Sequence, residues 1–309
     1  MRILFWGTPE FACVPLRALL GEGYEVTGIV TQPDKPQGRN RDVIAPPVKQ
    51  IALEEKIPVF QPGKPKDPEF MEILRVMSPD ISVVVAYGHL LSDELITLPS
   101  MGTLNIHASL LPELRGAAPI QAAIREGKTE TGVSIMRMVR ELDAGPVIHQ
   151  ARTPIQGDET YGELQMRLSE LGAMALIEAL TLLSVGAARE APQDDALATY
   201  APKITREMAR INWTLSAAEV SRTIRAYDPK PSAYSALAGA DVKLFGASTV
   251  ANSSGAAPGT VLLTSDSLIV ACGEGAVSVT DVQPSGKKRM RASDWSRGRG
   301  VREGDRFGS

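Results

Sequence analysis

Two kinds of pattern alternate through the start of the chain, and that alternation leaves few folds open. Residues 2–7, 25–31 and 81–87 are short runs rich in apolar and β-branched residues, as in buried strands, with a shorter strand at 58–60. Residues 10–20, 48–55 and 67–77 lie between them with the spacing of helices. Strands that alternate with helices predict a doubly wound, mostly parallel sheet covered on both faces, an α/β architecture of the Rossmann-like kind. In such sheets ligands bind beyond the carboxyl ends of the strands, where the strand order reverses.

The stretch from Gly102 to Asp143 carries the chemistry. It opens as a strand with Asn105 and His107, continues through Ser109-Leu110-Leu111-Pro112, and enters a helix at Arg115-Gly116-Ala117-Ala118-Pro119. Side chains two apart on a strand share a face, roughly 7 Å from one another, so an amide donor and a titratable imidazole project together. Asp143 follows in the turn Asp143-Ala144-Gly145 after a strand over 131–139. Alone it reads equally well as an Asx-turn. Folded back toward Asn105 and His107, it would complete a metal-free acid/base and oxyanion-stabilising set. The small residues at 115–119 suit a helix start that offers free N–H groups to a ligand, or a tight crossover. Met136 and Met138 read as packing residues.

Other sites are poorly supported. The first turn, Gly7-Thr8-Pro9-Glu10-Phe11-Ala12, has a proline and a carboxylate where a dinucleotide site needs glycines, and no Walker sequence occurs. Three histidines without an HExxH or a Cys/His cluster predict no metal site, and His89 and His149 read as ordinary polar residues. The strand at 81–85 runs into Ala86-Tyr87-Gly88, a turn whose backbone could hydrogen-bond a flat ring. Residues 32–42 form a long loop with cations at Lys35, Arg39 and Arg41, either functional or a solvated excursion.

The chain of 309 residues, 43% of them hydrophobic, is long enough for two domains. A long helix over 159–186 closes the first; its apolar run at 171–187 is interrupted by Glu178, Thr181 and Ser184 and is too short to cross a membrane. Residues 188–203, with Pro192, Asp194, Asp195 and Pro202, lack periodicity and read as a connector. The expected division is a catalytic domain at 1–188, a linker at 189–206 and a second domain at 207–309. Ser216 caps a helix over 216–226 with Glu219 completing a capping box. Short strands at 242–245, 259–263, 268–272 and 276–282 then suggest a small barrel, the oligonucleotide-binding kind being one possibility.

Cys13 and Cys272 lie far apart in apolar runs, which predicts free thiols in a reducing compartment, and the opening residues read as a strand rather than a leader. From Glu207 onward there are 13 Lys and Arg against 10 Asp and Glu, leaving 20 against 26 in the rest of the chain. The excess lies at residues 286–309, which hold eight basic residues, Lys287, Lys288 and Arg289 among them, and three acidic ones. Such a patch can meet a polyanion or form a solvated tail.

Taken together, FWGTPEFA, TQPDKPQGR, PDISVVVAYGHLL, LNIHASLLPELRGAAPIQ, TGVSIM, LDAGPV, WTLSAAEVSRTIRAYDP and QPSGKKRMRASDW span nearly the whole sequence. They resemble the methionyl-tRNA formyltransferases within the folate-dependent formyltransferase family. The resemblance implies a Rossmann-like formyltransferase domain followed by an OB-like tRNA-binding domain. Asn105, His107 and Asp143 match the family's catalytic trio, and Ser109, Leu110, Leu111 and Pro112 its folate-contacting loop. The pterin of 10-formyltetrahydrofolate would lie near Ala86, Tyr87 and Gly88. Arg39 matches an arginine of an inserted loop that contacts the tRNA acceptor end; Arg41 keeps a cation beside it, while Asn40 and Asp42 depart from the family's glycine and lysines. Lys287, Lys288 and Arg289 would add tRNA contacts.

The implied reaction formylates the α-amine of methionyl initiator tRNA for translation initiation, with no metal, by a cytoplasmic monomer that has no membrane partner. Two other readings stand beside it. One is a folate-dependent formyltransferase acting on an amino sugar nucleotide, which would use the same trio. The other is a non-catalytic RNA-binding protein.

Overall fold

A computed structural model describes residues 1–37, 42–251 and 254–308. The expected contacts at Arg39, and its neighbours Asn40 and Arg41, lie outside the described residues. The chain divides into two compact units, which interleave in sequence. Unit 1 comprises Met1–Gly116, Thr131–Thr153 and Gln165–Tyr200; unit 2 comprises Ala117–Glu130, Pro154–Leu164 and Ala201–Ser309.

Unit 1 is built on the expected sheet. Its elements begin β1 (Arg2–Gly7), α1 (Cys13–Gly21), β2 (Glu25–Val30), the small hairpin β3 (Lys35–Gln37) and β4 (Asp42–Ile44), and α2 (Pro47–Glu54). They continue with β5 (Val59–Phe60), α3 (Pro68–Met77), β6 (Ile81–Val85), α4 (Asp93–Thr97) and β7 (Thr103–His107). Helix α5 (Pro119–Glu126) belongs to unit 2; β8 (Glu130–Arg137), β9 (Val147–Pro154) and α6 (Tyr161–Ser184) follow. The sheet order is β5-β2-β1-β6-β7-β8-β9. β5, β2, β1, β6 and β7 are parallel, and β8 is antiparallel to β7. Order therefore reverses at β1, which has β2 on one side and β6 on the other.

Register brings three strand ends to one edge. Gly7 pairs with Val85, and Val84 pairs with Asn105, so the turns after β1, β6 and β7 open side by side. The lone glycine of the first turn serves packing: a Cβ on Gly7 would lie 2.8 Å from both Ala12 Cβ and Phe5 Cε1 and 3.2 Å from the Val85 carbonyl oxygen. β6 is buried at all five positions, as its unbroken apolar run requires. Trp6, Phe70, Tyr87, Leu74 and Leu95 form a core on one face, with Tyr87 edge-on to Trp6 at 5.2 Å between ring centres.

In unit 2, α7 (Ala217–Ala226) starts at the predicted cap: Ser216 accepts from the Glu219 N–H, and the Glu219 carboxylate accepts from Ser216 N–H. Six strands follow, β10 (Ala233–Leu237), β11 (Ala240–Val250), β12 (Val261–Leu263), β13 (Leu268–Ala271), β14 (Ala276–Pro284) and β15 (Met290–Arg291), and then α8 (Ala292–Arg297). They form an antiparallel sheet ordered β10-β11-β14-β13-β12, with β15 beside β14. Residues 305–308 link its two edges: Gly308 N–H donates to the Ala236 carbonyl, while Phe307 N–H donates to the Gly259 carbonyl. This is how the sheet curls toward the expected barrel. The strand expected at 242–245 is the middle of an eleven-residue strand. Gly246 punctuates the sequence there, but at φ +62° it continues the strand where a Cβ would strike the Thr280 hydroxyl. β10 and α8 add to the elements read from the sequence. No helix among the described residues is long and apolar enough to cross a membrane.

Candidate active site

The site lies in unit 1 at the carboxyl end of β7 and is held by the two neighbouring strands. His107 is 6% exposed. Its Nε2 lies 3.0 Å from the Leu114 carbonyl oxygen; because a carbonyl only accepts, Nε2 carries the hydrogen. That leaves Nδ1 facing Asp143, with Oδ2 at 3.7 Å, a distance within ion-pair range but too long for a direct hydrogen bond. Asp143 Oδ2 accepts instead from the Gly116 N–H at 2.8 Å. The Asn105 side chain, partly exposed on the same strand, makes no hydrogen bond among the described residues.

Asp143 sits at φ +50°, Leu114 at φ +58° and Ala86 at φ +48°. Left-handed backbone at three non-glycine residues costs on the order of 1–3 kcal/mol each and persists only where surrounding structure enforces it. Behind Asp143 the enforcement is visible at Gly145, where a Cβ would collide with the Arg137 carbonyl. The loop after β7 is fixed as firmly. Ser109 donates to the Glu113 carbonyl at 2.6 Å, and Ser134 on β8 donates to the Ser109 carbonyl at 2.7 Å and accepts from Leu111 N–H at 3.0 Å. Gln150 on β9 donates to the Leu111 carbonyl at 2.9 Å. Leu110 and Pro112 are half-buried and Leu111 buried, and the Leu111–Pro112 bond is cis. Behind Leu110, Gly132 leaves no room for a Cβ against the Ala151 carbonyl.

At the end of β6 the Tyr87 side chain is buried in the core, its phenol pushed up to about 12 by burial, while its carbonyl accepts from the Thr8 hydroxyl at 3.1 Å. The exposed residues of this turn are therefore Ala86 and Gly88, the latter at φ +91°. His89 Nε2 lies 2.9 Å from Gln32 Oε1, and His149 Nε2 lies 2.8 Å from Glu178 Oε2. Among the described residues, no group of three or more His, Cys, Asp or Glu side chains is placed to hold a metal ion.

The structure thus groups Asn105, His107, Asp143 and residues 109–112 in unit 1 beside the turn at 86–88. Lys287, Lys288 and Arg289 are exposed in unit 2. Arg289 is engaged there, pairing with Asp228 at 3.0 Å and Asp281 at 3.3 Å while its guanidinium lies over the Phe245 ring. Sequence reasoning missed Arg115 and Gln193. Arg115 is 3% exposed, and both its Nε and one terminal nitrogen donate to Gln193 Oε1, at 3.0 and 2.8 Å. No periodic signal marks Gln193, which lies in a polar connector; only the spatial fold reveals its contacts.

Residues 1–180 match a family model described as formyl transferase, and residues 203–300 match one for the formyl transferase C-terminal domain. The methionyl-tRNA formyltransferase of Geobacillus thermodenitrificans is 47% identical over 302 residues, covering 97% of this chain and 95% of that protein. That of Methylococcus capsulatus is 45% identical over 295 residues, covering 96% of each. Among solved structures, HypX from Aquifex aeolicus in complex with tetrahydrofolic acid superposes with a TM-score of 0.70 at 20% identity; the match covers 95% of this chain and 46% of HypX, so the chain spans about half of that protein. WlaRD, a sugar 3N-formyl transferase crystallised with dTDP and 5-N-formyl-THF, gives 0.66 at 17% identity over 93% of this chain and 99% of its own. These two likenesses bear on fold alone. With both family models matched and relatives this similar along nearly their whole length, the chain belongs to the methionyl-tRNA formyltransferases of the formyl transferase family.

Proposed function

We propose that Asn105, His107 and Asp143 carry out in this chain the formyl transfer for which its family is named, from 10-formyltetrahydrofolate to the α-amine of methionyl initiator tRNA. The observation that carries the reading is the convergence of a partly exposed amide, a buried imidazole and a carboxylate at the carboxyl edge of the sheet, with Asp143 Oδ2 3.7 Å from His107 Nδ1. The residues suit a formyl-folate donor. Ala86 and Gly88 present backbone to a flat ring, and the loop at 109–112 is braced by Ser134 and Gln150. The donor supplies a formyl carbon at the formate oxidation level.

The chain's own groups then handle charge and protons. As the amine nitrogen bonds to the formyl carbon, the formyl oxygen takes on negative charge, which the Asn105 amide and a His107 imidazolium, with hydrogen on Nδ1 as well as Nε2, stabilise. The Leu114 carbonyl holds the ring by Nε2 and so aims Nδ1. Asp143 accepts the proton that the amine releases; the bond from the formyl carbon to N10 breaks, and a proton returns to N10. A preorganised donor of this type contributes about 3–4 kcal/mol to the transition state. His107→Ala and Asp143→Asn are therefore expected to slow single-turnover formyl transfer by on the order of 10²-fold or more, with donor binding nearly intact. Transfer within threefold of the parent would remove these residues from the chemistry.

The same reading assigns residues 1–188 to catalysis, 189–206 to a linker and 207–309 to tRNA binding, with Arg39, Arg41, Lys287, Lys288 and Arg289 meeting phosphates. It takes the protein as a cytoplasmic monomer. The high-coverage relatives favour tRNA over an amino sugar nucleotide as acceptor. Incubation with labelled formyl donor and either acceptor decides between them: transfer to methionyl-tRNA supports the proposal, and transfer only to the sugar overturns it.

A further inference from the structure

Asp143 must be held in an unfavourable backbone conformation, and the residue that holds it comes from a segment with no sequence motif. Gln193 Nε2 donates to the carbonyl of Asp143 at 2.8 Å and to that of Gly145 at 2.7 Å. Its Oε1 accepts from Arg115 Nε at 3.0 Å and from Arg115 Nη2 at 2.8 Å. Carbonyls only accept and a guanidinium only donates, so this amide fits in one orientation, with both ends fully used. Arg115 also donates to Asp195 at 2.8 Å, and its side chain is 4% exposed against 82% for Asp195. A buried guanidinium is costly unless paired, so the network is poised to stay closed.

The segment is anchored on both sides of the trio. Ala191 and Val147 exchange two backbone hydrogen bonds of 2.8 Å on the β9 side. Beyond Gln193, the Thr199 carbonyl accepts from Arg115 N–H at 2.8 Å, and the Thr199 hydroxyl accepts from Leu114 N–H at 2.9 Å. Leu114 is the residue whose carbonyl holds His107. One short stretch therefore constrains the backbone beneath both the imidazole and the carboxylate.

We propose that Gln193 is a positioning residue for formyl transfer, clamping the 143–145 turn so that the Asp143 carboxylate faces His107, with Arg115 fixing the clamp. The inference rests on the proposed role of Asp143. Two variants test it. Gln193→Ala removes both contacts. Gln193→Glu keeps an acceptor for Arg115 but cannot donate to the carbonyls of Asp143 and Gly145. Both are expected to lower kcat fivefold or more, with KM for donor and for methionyl-tRNA within threefold of the parent.

In an Asp143→Asn background, adding either substitution should change the single-turnover rate by less than twofold, because the clamp acts only through that carboxylate. A merely structural role would instead lower both backgrounds equally. If Gln193→Ala unfolds, Gln193→Glu carries the test, with thermal unfolding as the check on each. A kcat within fivefold of the parent, or equal losses in both backgrounds, overturns the clamp. If Asp143→Asn alone leaves transfer within threefold, the carboxylate's role fails first and the inference falls with it.

Discussion

A buried tyrosine whose hydroxyl has no partner costs stability, and Tyr87 is such a residue beneath the candidate site. It is 2% exposed, and among the described residues its hydroxyl finds no hydrogen-bond partner; the Thr31 hydroxyl is in the same position. The ring instead packs edge-on against Trp6, and the backbone of the residue, not its phenol, faces the turn. Tyr87→Phe keeps the ring and removes the unpaired oxygen. The variant is expected to match or exceed the parent in unfolding free energy, by up to about 1 kcal/mol, because no made bond is lost. Formyl transfer should stay within twofold, since a phenol held to about 12 is neutral throughout the working pH range. Denaturant unfolding followed by fluorescence checks the first expectation and steady-state assay the second. A loss of more than 1 kcal/mol would show that the hydroxyl is paired in solution.

Between residues and the whole chain, the elements show which features local chemistry can announce. The capping box at Ser216 is written in four consecutive residues and forms as the sequence predicts. Ser216→Ala should destabilise unit 2 by about 1 kcal/mol. Hydrogen bonds from Ser216 hold the Glu219 carboxyl below its ordinary 4.5. A carboxyl lowered in the folded state stabilises above its unfolded pKa, and that stability is lost as pH falls through the folded one. The gap in thermal midpoint between parent and Glu219→Gln should therefore be full at pH 7 and shrink below about pH 4. An unchanged gap at pH 3 would contradict the cap.

Asn105 and His107 were legible for a similar reason: strand period fixes their common face. Asp143 was legible only as a turn, because its use depends on Gly116 and Gln193, which distant parts of the chain supply. β11 was half legible because Gly246 imitates a strand end while its φ of +62° continues the strand. The interleaving of α5 with the C-terminal residues was not legible at all, since helix periodicity says which face is apolar but not what covers it.

At the scale of the molecule, two units fold from one chain and each buries one cysteine, Cys13 in unit 1 and Cys272 in unit 2. Each thiol is pushed up to about 11, mainly by burial, so at pH 8 only about one in a thousand is the reactive thiolate. Labelling in the native state must then wait for the surrounding unit to open, and the two thiols become separate reporters of two openings. Cys13→Ala and Cys272→Ala variants isolate one reporter each. Both should resist an aromatic disulfide reagent at pH 8 in the absence of denaturant and react fully once unfolded. Along a urea series, labelling of Cys13 should track the loss of the α/β sheet, and labelling of Cys272 the loss of the antiparallel one. Formyl-transfer activity should disappear no later than Cys13 becomes accessible, because Asn105, His107 and Asp143 all belong to unit 1. Activity that outlasts the opening around Cys13 would place the chemistry elsewhere.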